Sequence, residues 1–120
     1  MATKTKTENI IDTDSLRAAH LAVTWASHLN TDDGTPFKAG GFRYGIFSVT
    51  GTFGAGGTIL LEGSNNGGTT WTTVLDKAGA AVSITAAGQR IIETLYEDVR
   101  PRVSAGDGTT ALVPIFTAYS

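Results

Sequence analysis

Two β-branched runs joined by a cluster of asparagine and glycine constrain this chain more than any other feature. Gly57-Thr58-Ile59-Leu60-Leu61-Glu62 leads into Gly63-Ser64-Asn65-Asn66-Gly67-Gly68-Thr69-Thr70, and Trp71-Thr72-Thr73-Val74-Leu75 leads out. Asn and Gly reach positive φ at little cost, so Asn65, Asn66, Gly67 and Gly68 predict a tight hairpin turn. Trp71, at the start of the returning strand, is expected in the core beside that turn with its indole N–H satisfied, and Trp25 is read in the same way.

The rest of the chain repeats the pattern of short β-runs between turn residues. Strands are predicted near 21–25, 42–50, 57–63, 69–75, 81–85, 99–104 and 110–118, with a long loop from His28 to Gly41. Within 42–50, Phe42, Tyr44 and Ile46 fall on one face and Phe47 and Val49 on the other, as in a strand covered on both sides. Pro101 and Pro114 cannot donate a ladder hydrogen bond, so the first is expected at a strand start or edge and the second at an edge or bulge. Ile91, Ile92 and Leu95 would suit a helical turn, but their segment is too short and β-rich to assign. Seven or eight runs at spacings of roughly 8 to 12 residues predict an all-β, antiparallel sandwich of jelly-roll-like type. No period of about 20 to 50 residues recurs, which argues against a solenoid or propeller.

Residues 1–19 are polar and Thr-rich without hydrophobic period, and read as an N-terminal arm preceding a sandwich domain over 20–120. Asp14 could cap one helical turn running to His20. Laid across a neighbour, the arm would make salt-sensitive contacts to a capsid or a sister subunit through Lys4, Lys6 and Arg17; a disordered tail is the alternative.

Composition narrows the function classes. A chain of 120 residues makes one domain able to bury roughly two-thirds of its unfolded surface. Cysteine is absent, so neither disulfides nor thiolate metal sites enter. Nine basic residues against 11 acidic ones give a net charge of −2, unlike the concentrated basic face of a nucleic-acid binder. No window approaches the apolar run of about 18 residues of a membrane helix, and the first residues lack a secretory h-region. Fifteen glycines and 17% charged residues describe a lightly charged surface suited to packing against neighbours.

No catalytic, cofactor-binding or metal site is expected. His20 and His28 lack ligand-spaced companions, and Asp12 with Asp14, or Asp32 with Asp33, lack the ligand ladder of a calcium loop. The glycine-rich stretch Gly51–Gly57 opens no helix and is followed by no Lys-Ser/Thr pair, so a turn is expected rather than a phosphate cradle. Arg100 and Arg102 flank Pro101 on one strand face, available to Glu97, Asp98 or a partner's carboxylate.

Ser64-Asn65-Asn66-Gly67-Gly68-Thr69-Thr70-Trp71 resembles the Asp-box turn of sialidases, with Asn66 at the aspartate position. In that family the box stabilises a hairpin and recurs in several blades, whereas here it occurs once. A similar turn followed by an Arg-rich strand also occurs in discoidin-like, galactose-binding jelly rolls, over Gly57 to about Val103. A broader likeness runs from about Ser48 to Pro114: Ser48-Val49-Thr50-Gly51-Thr52-Phe53-Gly54, Leu61-Glu62-Gly63-Ser64-Asn65, Thr85-Ala86-Ala87-Gly88, Val99-Arg100-Pro101-Arg102-Val103-Ser104 and Gly106-Asp107-Gly108-Thr109-Thr110. This series resembles small structural proteins of tailed-bacteriophage virions. The resemblance implies a non-enzymatic head decoration or cement protein, assembled in the bacterial cytoplasm and resident in the virion. Its implied partners are the major capsid protein and sister subunits, with a homo-oligomer such as a trimer and no nucleic acid or membrane. The alternatives are a carbohydrate-binding module and a tail or neck component.

Overall fold

The computed structural model describes residues 2–12 and 20–119. Thirteen strands form among them: β1 Thr3–Lys4, β2 Lys6–Asp12, β3 His20–Trp25, β4 His28–Leu29, β5 Asp33–Gly34, β6 Phe37–Lys38, β7 Tyr44–Thr52, β8 Thr58–Ser64, β9 Thr72–Thr73, β10 Ser83–Ile84, β11 Gly88–Ile92, β12 Asp98–Ala105 and β13 Ala111–Tyr119. Six of these are only two residues long, and the other seven carry the architecture.

Two sheets face each other. One has the order β1-β5-β12-β8-β10, with β6 also on β12 and β9 also on β8; the other has the order β11-β7-β13-β3-β2, with β4 also on β13. The single parallel pairing is β1 with β5. From β7 onward the chain crosses between sheets, β8 to β10 in the first, β11 in the second, β12 in the first and β13 in the second. This is the all-β sandwich that the spacing of the runs predicts.

Strict alternation builds the core. Along β13, Leu112, Pro114, Phe116 and Ala118 are buried while the residues between them are half-buried on the other face. Phe47 and Val49 of β7, Ile59 and Leu61 of β8, and Val99 and Val103 of β12 point inward to the same core. Phe37 packs on Phe116 with ring centroids 6.0 Å apart and on Phe42 at 5.8 Å. Trp25 is fully buried as expected, and its Nε1–H donates to the Thr35 carbonyl at 2.8 Å. Gly34 makes that packing possible: a Cβ there would come within 2.6 Å of Trp25 and 2.8 Å of Pro101.

Several expectations need correction. The residues read as an arm take part in both sheets over their described portion. β1 lies on β5, and β2 pairs with β3 from Lys6↔Trp25 to Asp12↔His20. An edge strand that covers little core needs no hydrophobic period, which is why the sequence reads as an arm there. The helical turn expected over Asp14–His20, and Arg17 with it, lie outside the described residues except for His20, which opens β3. The long loop from His28 to Gly41 contains β4, β5 and β6, and residues 88–92 form the edge strand β11.

Both prolines stand in central strands rather than at edges. Leu61, opposite Pro101, turns its own N–H and C=O toward Val82 and Val74, so Pro101's nitrogen faces away from β8. On that far side β12 passes from β6, which it meets at Asp98 and Val99, to β5, which it meets at Arg102. The missing donor therefore falls at a break between two short partners. Pro114 sits at a matching break, where β13 changes partner from β4 at Leu112 to β3 at Ile115.

Candidate functional site

The turn from Asn65 to Gly68 closes through side chains of its own hairpin. Ser64 Oγ accepts the N–H groups of Asn66 and Gly68 at 3.3 and 3.0 Å and donates to Asn66 Oδ1 at 2.8 Å. Asn66 Oδ1 also accepts the Thr70 N–H at 2.9 Å, and Asn65 Oδ1 accepts that of Glu97 at 2.9 Å. Gly67 and Gly68 take φ of 72° and 88°, the left-handed region their lack of a Cβ allows. These groups hold the turn and are largely consumed by it.

Trp71 departs from expectation. It is half-buried and outside the core, with the Arg100 guanidinium 4.2 Å from the centre of its ring. The hairpin does bring it beside the turn, but on the outer surface of the first sheet. Arg100 is the centre of an ionic network there. Its Nε donates to Glu62 at 3.0 Å and its terminal nitrogen to Asp33 at 3.2 Å, while Arg102 Nε reaches the other Glu62 oxygen at 2.9 Å. The sequence placed Arg100 and Arg102 on one face correctly, but Glu62 comes opposite Arg100 only through the β8–β12 register. Lys38 adds a pair with Asp98 at 3.5 Å.

The N-terminal basic residues are engaged inside the chain. Lys4 lies 3.5 Å from Asp32, whose carboxylate also accepts the N–H groups of Ala2 at 2.9 Å and Leu29 at 2.8 Å. Burial pushes the Asp32 carboxyl up, but those two N–H groups and Lys4 outweigh it and hold its pKa below the ordinary value. Lys6 pairs with Glu8 two residues along β2. Beside this cluster, fully buried His28 gives its Nδ1–H to the Ala26 carbonyl at 2.8 Å, and its Nε2 has no partner. Burial holds the His28 pKa below its usual value despite nearby Asp32 and Asp33.

The second sheet has an outer face of the opposite chemistry. From β13 it presents Ala111, Val113, Ile115, Thr117 and Tyr119, and from β7 Tyr44, Ile46, Ser48 and Thr50. β11 adds Ile91 opposite Ile46 and Gln89 opposite Ser48; β3 adds Ala22 and Thr24; β4 adds Leu29 opposite Ala111. β2 continues the rows with Thr7 and Asn9. None of these side chains carries a charge; at one end of the face the row of Tyr44 and Tyr119 continues to His20 on β3 and, opposite it, Asp12 on β2. Leu29, Tyr44 and Ile91, at 51%, 40% and 44% exposure, are three of the four most exposed large apolar residues among those described. The sequence expected Phe42, Tyr44 and Ile46 to be covered, as one side of a doubly buried strand. Instead Tyr44 and Ile46 lie on the open face, and the rings of Tyr44 and Tyr119 stack at 4.7 Å.

Among the described residues no three His, Asp or Glu side chains converge as metal ligands, and no helix is long and apolar enough to cross a membrane.

No family model matches the chain, and no curated protein matches it in sequence. Among solved structures, the SPBc2 prophage-derived protein YomS has the same fold. It is 16% identical, with a TM-score of 0.61, and the match covers 93% of this chain and all of that one. An oxalate oxidase matches with 15% identity and a TM-score of 0.48, over 96% of this chain and 51% of that one. The Cnp3 cupin domain of Schizosaccharomyces pombe matches with 10% identity and a TM-score of 0.40, over 96% and 61%. The last two scores are too low to bear on this chain.

Proposed function

We propose that this chain is a non-enzymatic structural protein of a bacteriophage particle, a decoration or cement subunit that binds the assembled head. The observation that carries this reading is the largely uncharged outer face of the second sheet, set against a closed ionic network on the first. A small-molecule site is a concave, mostly apolar cleft with a few convergent polar groups. Here the apolar surplus lies on a broad sheet face, which suits contact with another protein. The fold shared with a prophage-derived protein and the run of turn and strand motifs from Ser48 to Pro114 support the same reading.

The mechanism is mass action. A subunit that binds the assembled shell and not its free components stabilises the shell by its differential affinity, about 2.7 kcal/mol per site at a hundredfold excess over Kd. Its partners are the major capsid protein and sister subunits.

Mass analysis of purified particles tests this. Copies on the order of hundreds per particle place the chain on the head, and about a dozen place it in a neck or tail ring, as symmetric assemblies of those sizes require. Absence from the particles overturns the reading. A carbohydrate-binding role has one observation in its favour, a cleft beside the turn lined by Asn65, Asn66, Thr70, Thr72 and Tyr96. Retention on a glycan column, lost in Tyr96→Ala, would establish it instead.

A further inference from the structure

We infer that the largely uncharged face of the second sheet is where a second copy of this chain docks, face to face about a two-fold axis. The inference deepens the proposed function, which rests on the same face, by naming a sister subunit as what covers it.

Three features point to a sister copy. First, a two-fold interface sets one patch against itself, so any charge on it meets its own sign. The centre of this face has none, Asp12 standing only at its end beside His20, whereas the ionic face of the first sheet would place Arg100 and Arg102 near their own copies. Second, most charged residues of the second sheet's strands point away from it, and Asp12, opposite His20 in the row of Tyr119 and Tyr44, stands at one end of the face. Lys6 and Glu8 lie opposite Trp25 and Val23 on the inward side and pair with each other, and Arg90, opposite Phe47, turns to Asp76 at 3.0 Å. Third, the area suffices. Its five main strands, of five to nine residues each, at about 4.8 Å spacing and about 3.3 Å per residue give a face on the order of 600 Å². Stable pairs begin at about 600 Å² buried on each partner. Leu29, Tyr44, Ile46, Ile91, Val113 and Ile115 supply the apolar contact, and the threonines between them allow close approach. Aligned packing of two such sheets sets them about 10 Å apart with their side chains interleaved.

Sedimentation of the purified full chain tests the inference. Interfaces of this size bind at micromolar levels or tighter, so the chain should sediment as a pair between about 1 and 100 μM. Ile115→Lys and Ile91→Glu should each halve the sedimenting mass without changing the circular dichroism spectrum. Ile91 is already largely exposed on an edge strand, so its variant probes the face without threatening the fold. Ser104→Lys, on the ionic face, should leave the mass unchanged. A wild-type chain that sediments as a single copy throughout overturns the inference. So does a pair that survives both face variants, or one that only Ser104→Lys dissolves. Should Ile115→Lys detach the chain from particles while the free wild-type protein is a single copy, the face belongs to the capsid and not to a sister chain.

Discussion

Ile46 and Ile91 stand directly opposite each other on neighbouring antiparallel strands, on the side of the sheet that faces away from the core, and Ile91 is 44% exposed. A cross-strand pair of β-branched side chains stabilises a sheet by a few tenths of a kcal/mol to about 1 kcal/mol. Left in water, however, it forgoes most of the burial that such side chains bring. The pair continues into the row of Thr117 and Ala22, with Ile115 and Val113 beside it on β13. Across the sandwich the first sheet's outer face is built on Glu62, Asp33 and two arginines.

The two tryptophans should respond very differently to truncation. Trp25 is fully buried with its indole N–H bonded, so Trp25→Ala should cost about 3–5 kcal/mol in urea unfolding. Trp71 is half-buried under Arg100, and Trp71→Ala should cost about 1–2 kcal/mol, the range for a partly desolvated cation–π contact. Equal losses in the two variants would place Trp71 in the core after all.

Removing residues 1–5 should destabilise the sandwich. The backbone carbonyls of Ala2, Lys4 and Thr5 accept hydrogen bonds from Asp33, Thr35 and Ala26 at 2.9 to 3.0 Å, and Asp32 would lose Lys4 and the Ala2 N–H. At roughly 1 kcal/mol per hydrogen bond the loss should reach several kcal/mol. A truncated chain that melts with the parent would show that these strands lie on the sheets without supporting them.

Much of the fold was legible because long alternating strands carry their own signal. His20–Trp25, Tyr44–Thr52, Thr58–Ser64, Asp98–Ala105 and Ala111–Tyr119 all fall within two residues of the predicted runs. Two-residue strands such as Asp33–Gly34 contain no period to detect, and they exist because a neighbouring strand offers them hydrogen bonds. Pro101 and Pro114 misled for a related reason. A proline argues for an edge only if both flanks of the strand are continuous, and here each faces a break between two short partners. The candidate site was legible as a lightly charged composition, but not as a face. Which side of β7 is covered depends on where the other sheet lies.

Stability should fall as the solution is acidified from about pH 7 to about pH 5, and His28 should account for part of that fall. Its folded-state pKa lies below 6.5 because the ring is buried, so the unfolded chain takes up the proton first. The stability held above 6.5 is then lost as the pH drops toward the folded value. Asp107 acts in a lower window. Hydrogen bonds from the Thr109 hydroxyl and the Ala55 and Thr109 N–H groups depress its pKa to about 2, so its contribution is present above 3.8 and is lost as the pH falls through about 2. Melting temperatures of the parent and His28→Gln across the upper window check the first claim: the variant's profile should be flatter, whatever its melting point at neutral pH. Parallel profiles would remove His28 from the explanation.

The central claim is that this protein makes its contacts through the largely uncharged face of the second sheet, and salt tests it most directly. Raising ionic strength from about 0.1 to about 1 M shortens the screening length from about 10 to about 3 Å, which weakens contacts between exposed charges and leaves apolar ones intact. Sedimentation of the wild-type chain at both concentrations should give the same association constant, and added sulfate should tighten it. A tenfold or greater weakening in 1 M salt, about 1.4 kcal/mol of lost association energy, would assign the contact to the Arg100–Glu62 face and contradict the account.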